Sequence, residues 1–477
     1  MIDLFNKLEE YNDLDYYPFH MPGHKRNLDW HIREGFCQLD ITEIEGFDNL
    51  HDPRGIIKEA MDYASEVFKS SRTYFLINGS TSGILSAISA VTKSGDRIAV
   101  SRNSHHAIYH AIDLKNLDVK YLYPEYIAEY ELNGSISPSK VTELLENDSQ
   151  IKAVVITSPT MQGVVSDISS IADICHENKV VLIVDEAHGA HFGFTPEFPL
   201  NSNQNNADIV IQSLHKTLPS PTQTAVLHVN GENIDIDRLE YYLGVYQTSS
   251  PSYLLMGGIF RCIRLVKDEI KERLNILMKY HEMINCASKE FKNIKIFSKE
   301  NIDKSNCFDF DYGKIIILIN NHSCTGKQLY DILLNKYSLQ LEMYDKSYAL
   351  AILTGYDTIE GVNRLISALR QIDSELGKEN RSTGIEMNQA LLLSCKTESD
   401  TTISRAMESP KIHRKIKECE GYISAGFIFI YPPGVPILVP GEVISQDIIN
   451  WIEESKKIKL NVQGLENNDT CISIIEK

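Results

Sequence analysis

The sequence predicts an α/β protein with a large unit on a mostly parallel sheet, then a smaller α/β unit, then an α+β unit at the C-terminus. Three observations carry this expectation. From about residue 56 to 290, short apolar runs alternate with amphipathic helical stretches, as expected of strands covered on both faces by helices. Two of those runs end in polar clusters, one in Asp185-Glu186-Ala187-His188-Gly189-Ala190-His191 and the other in Gln212-Ser213-Leu214-His215-Lys216. A third run enters Asn78-Gly79-Ser80-Thr81-Ser82-Gly83 and then a helix of small residues. Polar groups gathered at the ends of buried strands mark where an open α/β sheet binds its ligands.

Taken in order, residues 1–55 have turn signals and little periodicity, so they read as an arm lying over another domain or subunit. Residues 56–290 read as the large unit. Ile57, Ala60, Met61, Ala64, Val67 and Phe68 share one helix face, and a strand follows over 73–77. A helix is expected over 84–91, and strands over 97–100, 119–123 and 152–157. The strands ending at Asp185 and before Lys216 follow, and Asn201 to Asn206 reads as a surface loop. From Tyr253 to about Phe291, Ile259, Ile263, Val266, Ile270, Leu274 and Leu277 line one side of one or two long helices, suited to bracing neighbouring units. Residues 291–375 form the smaller α/β unit, Gly377 to Gly384 a linker, and 385–477 the last unit.

A chain of 477 residues is long enough for two or three domains. Its net charge of −18 argues against nucleic acid, which needs a basic face. The nine cysteines are scattered without a CxxC pair, which gives neither a common zinc spacing nor a disulfide framework. No leader-like pattern opens the sequence and no apolar run reaches membrane-spanning length, so a soluble cytoplasmic protein is expected.

Lysine and carboxylate at neighbouring strand ends are what pyridoxal phosphate requires. Lys216 would form the Schiff base, and Asp185 would keep the pyridine nitrogen protonated so that the ring acts as an electron sink. Asn78 to Gly83, with Ser80, Thr81 and Ser82, offers backbone N–H groups and hydroxyls at a helix start, a cup for the phosphate or an ordinary helix cap. A nucleophile elbow would need serine where Thr81 stands, which argues against a hydrolase. In Arg102-Asn103-Ser104-His105-His106, either histidine is placed to stack on a planar cofactor or to cap a helix. Asp185, His188 and His191 also have metal-compatible spacing, but a metal would leave Lys216 and the cup unexplained.

Together, Pro22-Gly23-His24-Lys25, Asn78-Gly79-Ser80-Thr81-Ser82, Ser104-His105, Asp185-Glu186-Ala187-His188, Ser213-Leu214-His215-Lys216 and Tyr431-Pro432-Pro433-Gly434 resemble the bacterial Orn/Lys/Arg decarboxylases in their short form. The resemblance spans nearly the whole chain. It implies an aspartate-aminotransferase-like, fold type I large domain with pyridoxal phosphate as cofactor. By position it assigns Lys216 to the Schiff base, Asp185 to the ring nitrogen and His105 to stacking, with His188 close by. Ser80, Thr81, Ser213 and His215 match the phosphate binders. The segment containing Ser249 and Ser250 would complete the partner's phosphate site, which implies a homodimer or higher even oligomer. Met161-Gln162-Gly163 departs from the family's usual Tyr-Asp-Gly.

The implied reaction is decarboxylation of a basic amino acid to its amine, a polyamine precursor, with arginine favoured, then lysine, then ornithine. Glu442 and Glu43 are candidates to meet the cationic side chain. The rival readings are another reaction of the same cofactor, such as transamination, and a non-catalytic paralogue.

Overall fold

The computed structural model describes residues 14–21, 23–25, 40–44, 46–319, 324–376, 398–431 and 434–476. The opening residues 1–7, Pro22, Pro432, Pro433 and the linker over 377–384 lie outside them.

Seven strands form the central sheet: β1 (Arg72–Leu76), β2 (Arg97–Ser101), β3 (Asp118–Leu122), β4 (Ile151–Thr157), β5 (Val181–Asp185), β6 (Ile209–Ser213) and β7 (Ala225–Val229). Their order is β1-β7-β6-β5-β4-β2-β3. The pairs β6–β5, β5–β4, β4–β2 and β2–β3 are parallel, whereas β7 runs antiparallel to both of its neighbours. The other six strands therefore point the same way, and their carboxyl ends share one edge. β4, β5 and β6 are almost wholly buried, which explains their unbroken apolar runs. Nothing in the helix–strand alternation announces β7, because an antiparallel strand needs no crossover helix.

The helix Gly79–Val91 packs on this sheet and starts five residues before the expected one, directly from the glycine-serine turn. A single helix, Tyr253–Ser288, covers the long periodic stretch. Its buried face, Ile259, Ile263, Val266, Ile270, Leu274 and Leu277, belongs to one apolar cluster with Phe68 and Phe75 on one side and Ile315, Ile317 and Leu365 on the other. The helix thus braces the large sheet against the next unit, where a four-stranded antiparallel sheet orders Ile294–Phe297, Lys314–Ile319, Tyr348–Ile352 and Met343–Tyr344. Helices Gly326–Tyr337 and Ile359–Leu376 accompany it. Beyond 398 come two small sheets and the helix Gln446–Lys457, around a cluster including Ile428, Leu438, Ile448, Ile452 and Ile474.

The described part of the arm lies on its own chain. Tyr17–Phe19 pairs in parallel with Leu339–Leu341. Gly23 donates its N–H to His215 O at 2.8 Å, and a Cβ there would stand 2.7 Å from the backbone carbon of Thr217. Only glycine lets the arm come this close to the turn carrying Lys216. The stretch from Asn201 to Asn206 is not the surface loop its composition suggests. Asn201, Ser202 and Asn203 are buried, with the amides of Asn201 and Asn203 on Phe68 O and Ser202 on the Glu186 carboxylate. Their polarity serves buried acceptors rather than water.

Candidate active site

A cavity of about 490 Å³ opens at the carboxyl edge of the sheet. Gly79, Ser80, Thr81, His105, Asp185, His188, His215 and Lys216 line it. Residues expected from four separate stretches of sequence therefore meet in one place. They do so because parallel strands deliver all their carboxyl ends to one edge.

Lys216 sits on a single helical turn, Leu214–Thr217, directly after β6. Burial lowers its amine below the ordinary lysine value, against the pull of Asp185 and Glu342. Its Nζ lies 3.1 Å from His188 Nε2. Burial, with Lys216 next, holds His188 well below the usual imidazole range, so the ring is neutral. Its other ring nitrogen, Nδ1, is a buried atom with no partner among the described residues. Asp185 ends β5, only 2 % exposed, and accepts the Ala187 N–H at 3.2 Å. Burial raises its carboxyl, while the Lys216 cation and the Ala187 hydrogen bond oppose the rise. Behind it, burial pushes Glu186 up to about 8, although its carboxylate takes hydrogen bonds from Ser202 and Gln212. Those bonds fix the turn that presents Asp185 and His188.

The turn expected to form the phosphate cup opens onto the cavity through Gly79, Ser80 and Thr81. Gly79 has φ +75°, and the space where its Cβ would be is open, the nearest atom being Gln223 O at 3.8 Å. Ser213 Oγ donates to Ser80 Oγ at 2.9 Å, joining the ends of β6 and β1 across the cup. Thr81 is exposed toward the cavity. Ser82 is a correction: it is buried, and its hydroxyl donates back to Gly79 O at 2.8 Å inside the first turn, away from the cup. His215 gives Nδ1–H to Thr224 O at 2.9 Å and turns its other face to the cavity. His105 takes the capping role and also lines the cavity. Its Nδ1 caps the helix His106–Leu114 by accepting the Ala107 N–H, and its ring borders the cavity, lowered by burial to about 3. Pyridoxal phosphate fits this set: an imidazole with a partnerless ring nitrogen, a buried carboxylate, an amine and an open turn at a helix start gather at one space.

Glu442 is a second correction. Its side chain has 0 % exposure and Arg102's has 10 %; Arg102 Nη2 lies 3.1 Å from Glu442 Oε2, which also accepts the Val439 N–H. It does not line the cavity. Glu43 is exposed and also outside the cavity of its own chain. His191 does not join Asp185 and His188, because its Nε2 lies 2.9 Å from Asp311 Oδ1. Ser249 and Ser250 are exposed and do not reach their own chain's cavity. The departing residues Met161 and Gln162 do line it, and Gln162 donates to Tyr348 Oη at 2.9 Å.

Among the lining groups that sequence reasoning misses are Glu342, Asp345, Glu131, Arg102 and Trp451. Glu342 accepts the Met21 N–H at 2.8 Å, and burial raises its carboxyl despite Lys25, Lys314 and Lys216 nearby. The local pattern Leu339-Gln340-Leu341-Glu342-Met343 alternates apolar and polar residues, so it does not set Glu342 apart from an ordinary half-exposed strand residue.

Residues 3–322 match the family model described as Orn/Lys/Arg decarboxylase, major domain, and residues 387–471 match the C-terminal domain of the same family. The arginine decarboxylase of Bacillus subtilis (strain 168) is 29% identical over 474 residues, covering 98% of this chain and 96% of that protein. The inducible lysine decarboxylase of Escherichia coli (strain K12) is 22% identical, covering 90% of this chain and 72% of that protein. Among solved structures, the lysine decarboxylase LdcF of Francisella novicida superposes with a TM-score of 0.77 at 19% identity, covering 95% of this chain and 74% of that one. The ureidoglycine-glyoxylate aminotransferase of Bacillus subtilis superposes with a TM-score of 0.55 at 17% identity over 71% of this chain and 88% of that one. The fold is thus the aminotransferase-like one that the resemblance implied.

Proposed function

Because the chain belongs to the Orn/Lys/Arg decarboxylase family, we propose that it uses pyridoxal phosphate to remove the α-carboxyl group of a basic amino acid, arginine before lysine and lysine before ornithine. The product is the corresponding amine, a polyamine precursor, and the enzyme works as a cytoplasmic homodimer or higher even oligomer. The observation that carries this reading is the meeting of Lys216, His188 and Asp185 in one cavity whose other wall holds Glu342 and Asp345.

When bound, pyridoxal phosphate supplies the electron sink that takes up the pair left by departing carbon dioxide. Lys216 would hold the cofactor at rest, and burial eases deprotonation of its amine, as a nucleophile requires. His188 Nε2 sits within reach of a proton on Lys216 Nζ. Asp185 would stand as the acidic partner of the ring nitrogen where water is scarce, and a carboxylate there would favour a protonated pyridine. His105 would stack on the ring, and the Gly79-Ser80-Thr81 turn, Ser213 and His215 would hold the phosphate.

Glu342 takes the place given to Glu442 as the acid meeting the substrate's cation. A cation entering this cavity must find a carboxylate, since an unpaired buried charge costs several kcal/mol. Glu342→Gln is expected to raise KM for arginine by about 10- to 100-fold, the worth of a charge-assisted hydrogen bond, with a smaller change in cofactor affinity. Steady-state kinetics beside a cofactor titration check this; an unchanged KM removes Glu342 from the substrate site.

Ser249 and Ser250 lie outside their own cavity, as residues serving a partner's phosphate would. Mixing Lys216→Ala protein with a Ser249→Ala/Ser250→Ala double variant, under subunit exchange, is then expected to restore one good site per heterodimer. Each parent alone stays inactive. A mixture no more active than its parents means that each chain builds its site alone. Transamination is separated from decarboxylation by its product, a keto acid in place of carbon dioxide.

A further inference from the structure

The C-terminal unit does more than cover the sheet. Ile430, Val435, Pro436, Ile437, Ile448 and Trp451 all line the catalytic cavity, so this unit supplies one of its walls. What holds that wall is a buried ion pair. Arg102 follows β2 and stands three residues before His105. Its guanidinium donates to Pro436 O at 2.6 Å and Ile437 O at 2.9 Å, the carbonyls of two wall residues. It also donates to Tyr109 Oη at 3.3 Å and pairs with Glu442 Oε2 at 3.1 Å, and Glu442 in turn accepts the Val439 N–H at 2.8 Å. The guanidinium also lies 5.3 Å from the ring centre of Tyr121, and Tyr109 Oη donates to Arg102 O. The segment from 435 to 439 is therefore tied from both sides by one charged pair. A second tie lies beside it: His106 N–H donates to Gly434 O at 3.2 Å, and a Cβ on Gly434 would stand 2.9 Å from His106 Nδ1.

An exposed ion pair would contribute little here, but this one is almost fully enclosed, and removing one partner takes the opposite charge away from a group that stays buried. The fork of a guanidinium can hold two carbonyls and a carboxylate in one plane, which a lysine cannot. We propose that Arg102 and Glu442 are a positioning pair that seats the C-terminal wall against the cavity and so sets the length of side chain the cavity admits. Neither needs to touch the substrate. The statement about side-chain length rests on the basic-amino-acid reading above; the statement about seating the wall does not.

The test uses the full-length holoenzyme and compares wild type, Glu442→Ala and Glu442→Gln. Two readouts are taken: kcat and KM for arginine, lysine and ornithine, and amide hydrogen exchange of peptides covering 102–110 and 428–440. Glu442→Ala is expected to raise KM for the preferred substrate roughly tenfold or more while kcat changes less than about threefold. It is also expected to narrow the spread of kcat/KM among the three substrates and to speed exchange in both peptides. Glutamine can still accept from Arg102 and from Val439 N–H, so Glu442→Gln is expected to recover most of the KM, the discrimination and the protection. Wild-type discrimination and exchange in Glu442→Ala overturn the proposal. So does a Glu442→Gln protein as impaired in KM as the alanine variant with normal exchange, because the charge would then be acting on substrate directly. If Glu442→Ala does not fold, Arg102→Lys decides in its place: faster exchange over 428–440 supports the pair, and wild-type exchange overturns it. If wild type releases carbon dioxide from none of the three amino acids, the decarboxylase reading fails, and the exchange readout still decides whether the pair seats the wall.

Discussion

Lys216→Ala is expected to lower turnover by roughly four or more orders of magnitude, since no other amine can take its place in the covalent step. Among the described lysines, only Lys216 lines the cavity. The cup residues Ser80, Thr81, Ser213 and His215 remain in this variant, so pyridoxal phosphate is expected to bind without being fixed covalently. Wild-type protein should be yellow, and borohydride should fix the cofactor on the peptide containing Lys216. Peptide mapping reads this directly. Label on any other lysine, or an alanine variant that still turns over, removes Lys216 from its role.

Asp185→Asn is expected to lower kcat by about 10²- to 10³-fold, as expected when a charge aimed at the reacting system is removed from a site poor in water. The substitution keeps size and keeps an oxygen for the Ala187 N–H, so the turn fixed by Glu186 should stay in place. Substrate KM should therefore change far less than kcat, and the cofactor's absorption should shift as its ring nitrogen loses its proton. A variant with near-normal kcat means that Asp185 is not the ring's partner.

What the sequence disclosed follows from how each feature is encoded. Strands β4, β5 and β6 are buried on both faces, so each is a nearly unbroken apolar run, and the first polar residue after it marks the sheet's carboxyl edge. Asp185, Lys216 and the Gly79 turn were legible for that reason: local chemistry and position in the fold coincide. The long helix was legible because a 36-residue stretch repeats its apolar face many times. Strand β7 carries the same kind of buried apolar run, Ala225–Val229, but no long crossover helix sets it apart from β6.

The residues that sequence reasoning misplaced share a different cause. Glu442 follows a Pro-Gly turn and looks like a surface acid or a substrate contact, but Arg102, 340 positions away, is its partner. Glu342 looks like one acid in a short strand until the sheet edge of another unit is brought opposite it. Asn201 to Asn203 have the composition of a loop, and only the carbonyl of Phe68 and the carboxylate of Glu186 explain why they are inside. A buried polar group is defined by its partner, and no local pattern names a partner so remote. Ser82 is a finer case. Helix phase alone decides that its hydroxyl points back to Gly79 O while Thr81 faces the cavity.

The central claim is tested most directly by carbon dioxide release. Carboxyl-labelled arginine, lysine and ornithine are supplied to the holoenzyme in parallel with a neutral and an acidic amino acid, and keto acid is assayed in the same reactions. The account predicts labelled carbon dioxide from the basic amino acids, arginine fastest, with no keto acid and little release from the other two. Keto acid without carbon dioxide, or release from neutral and acidic amino acids as fast as from arginine and lysine, would contradict it.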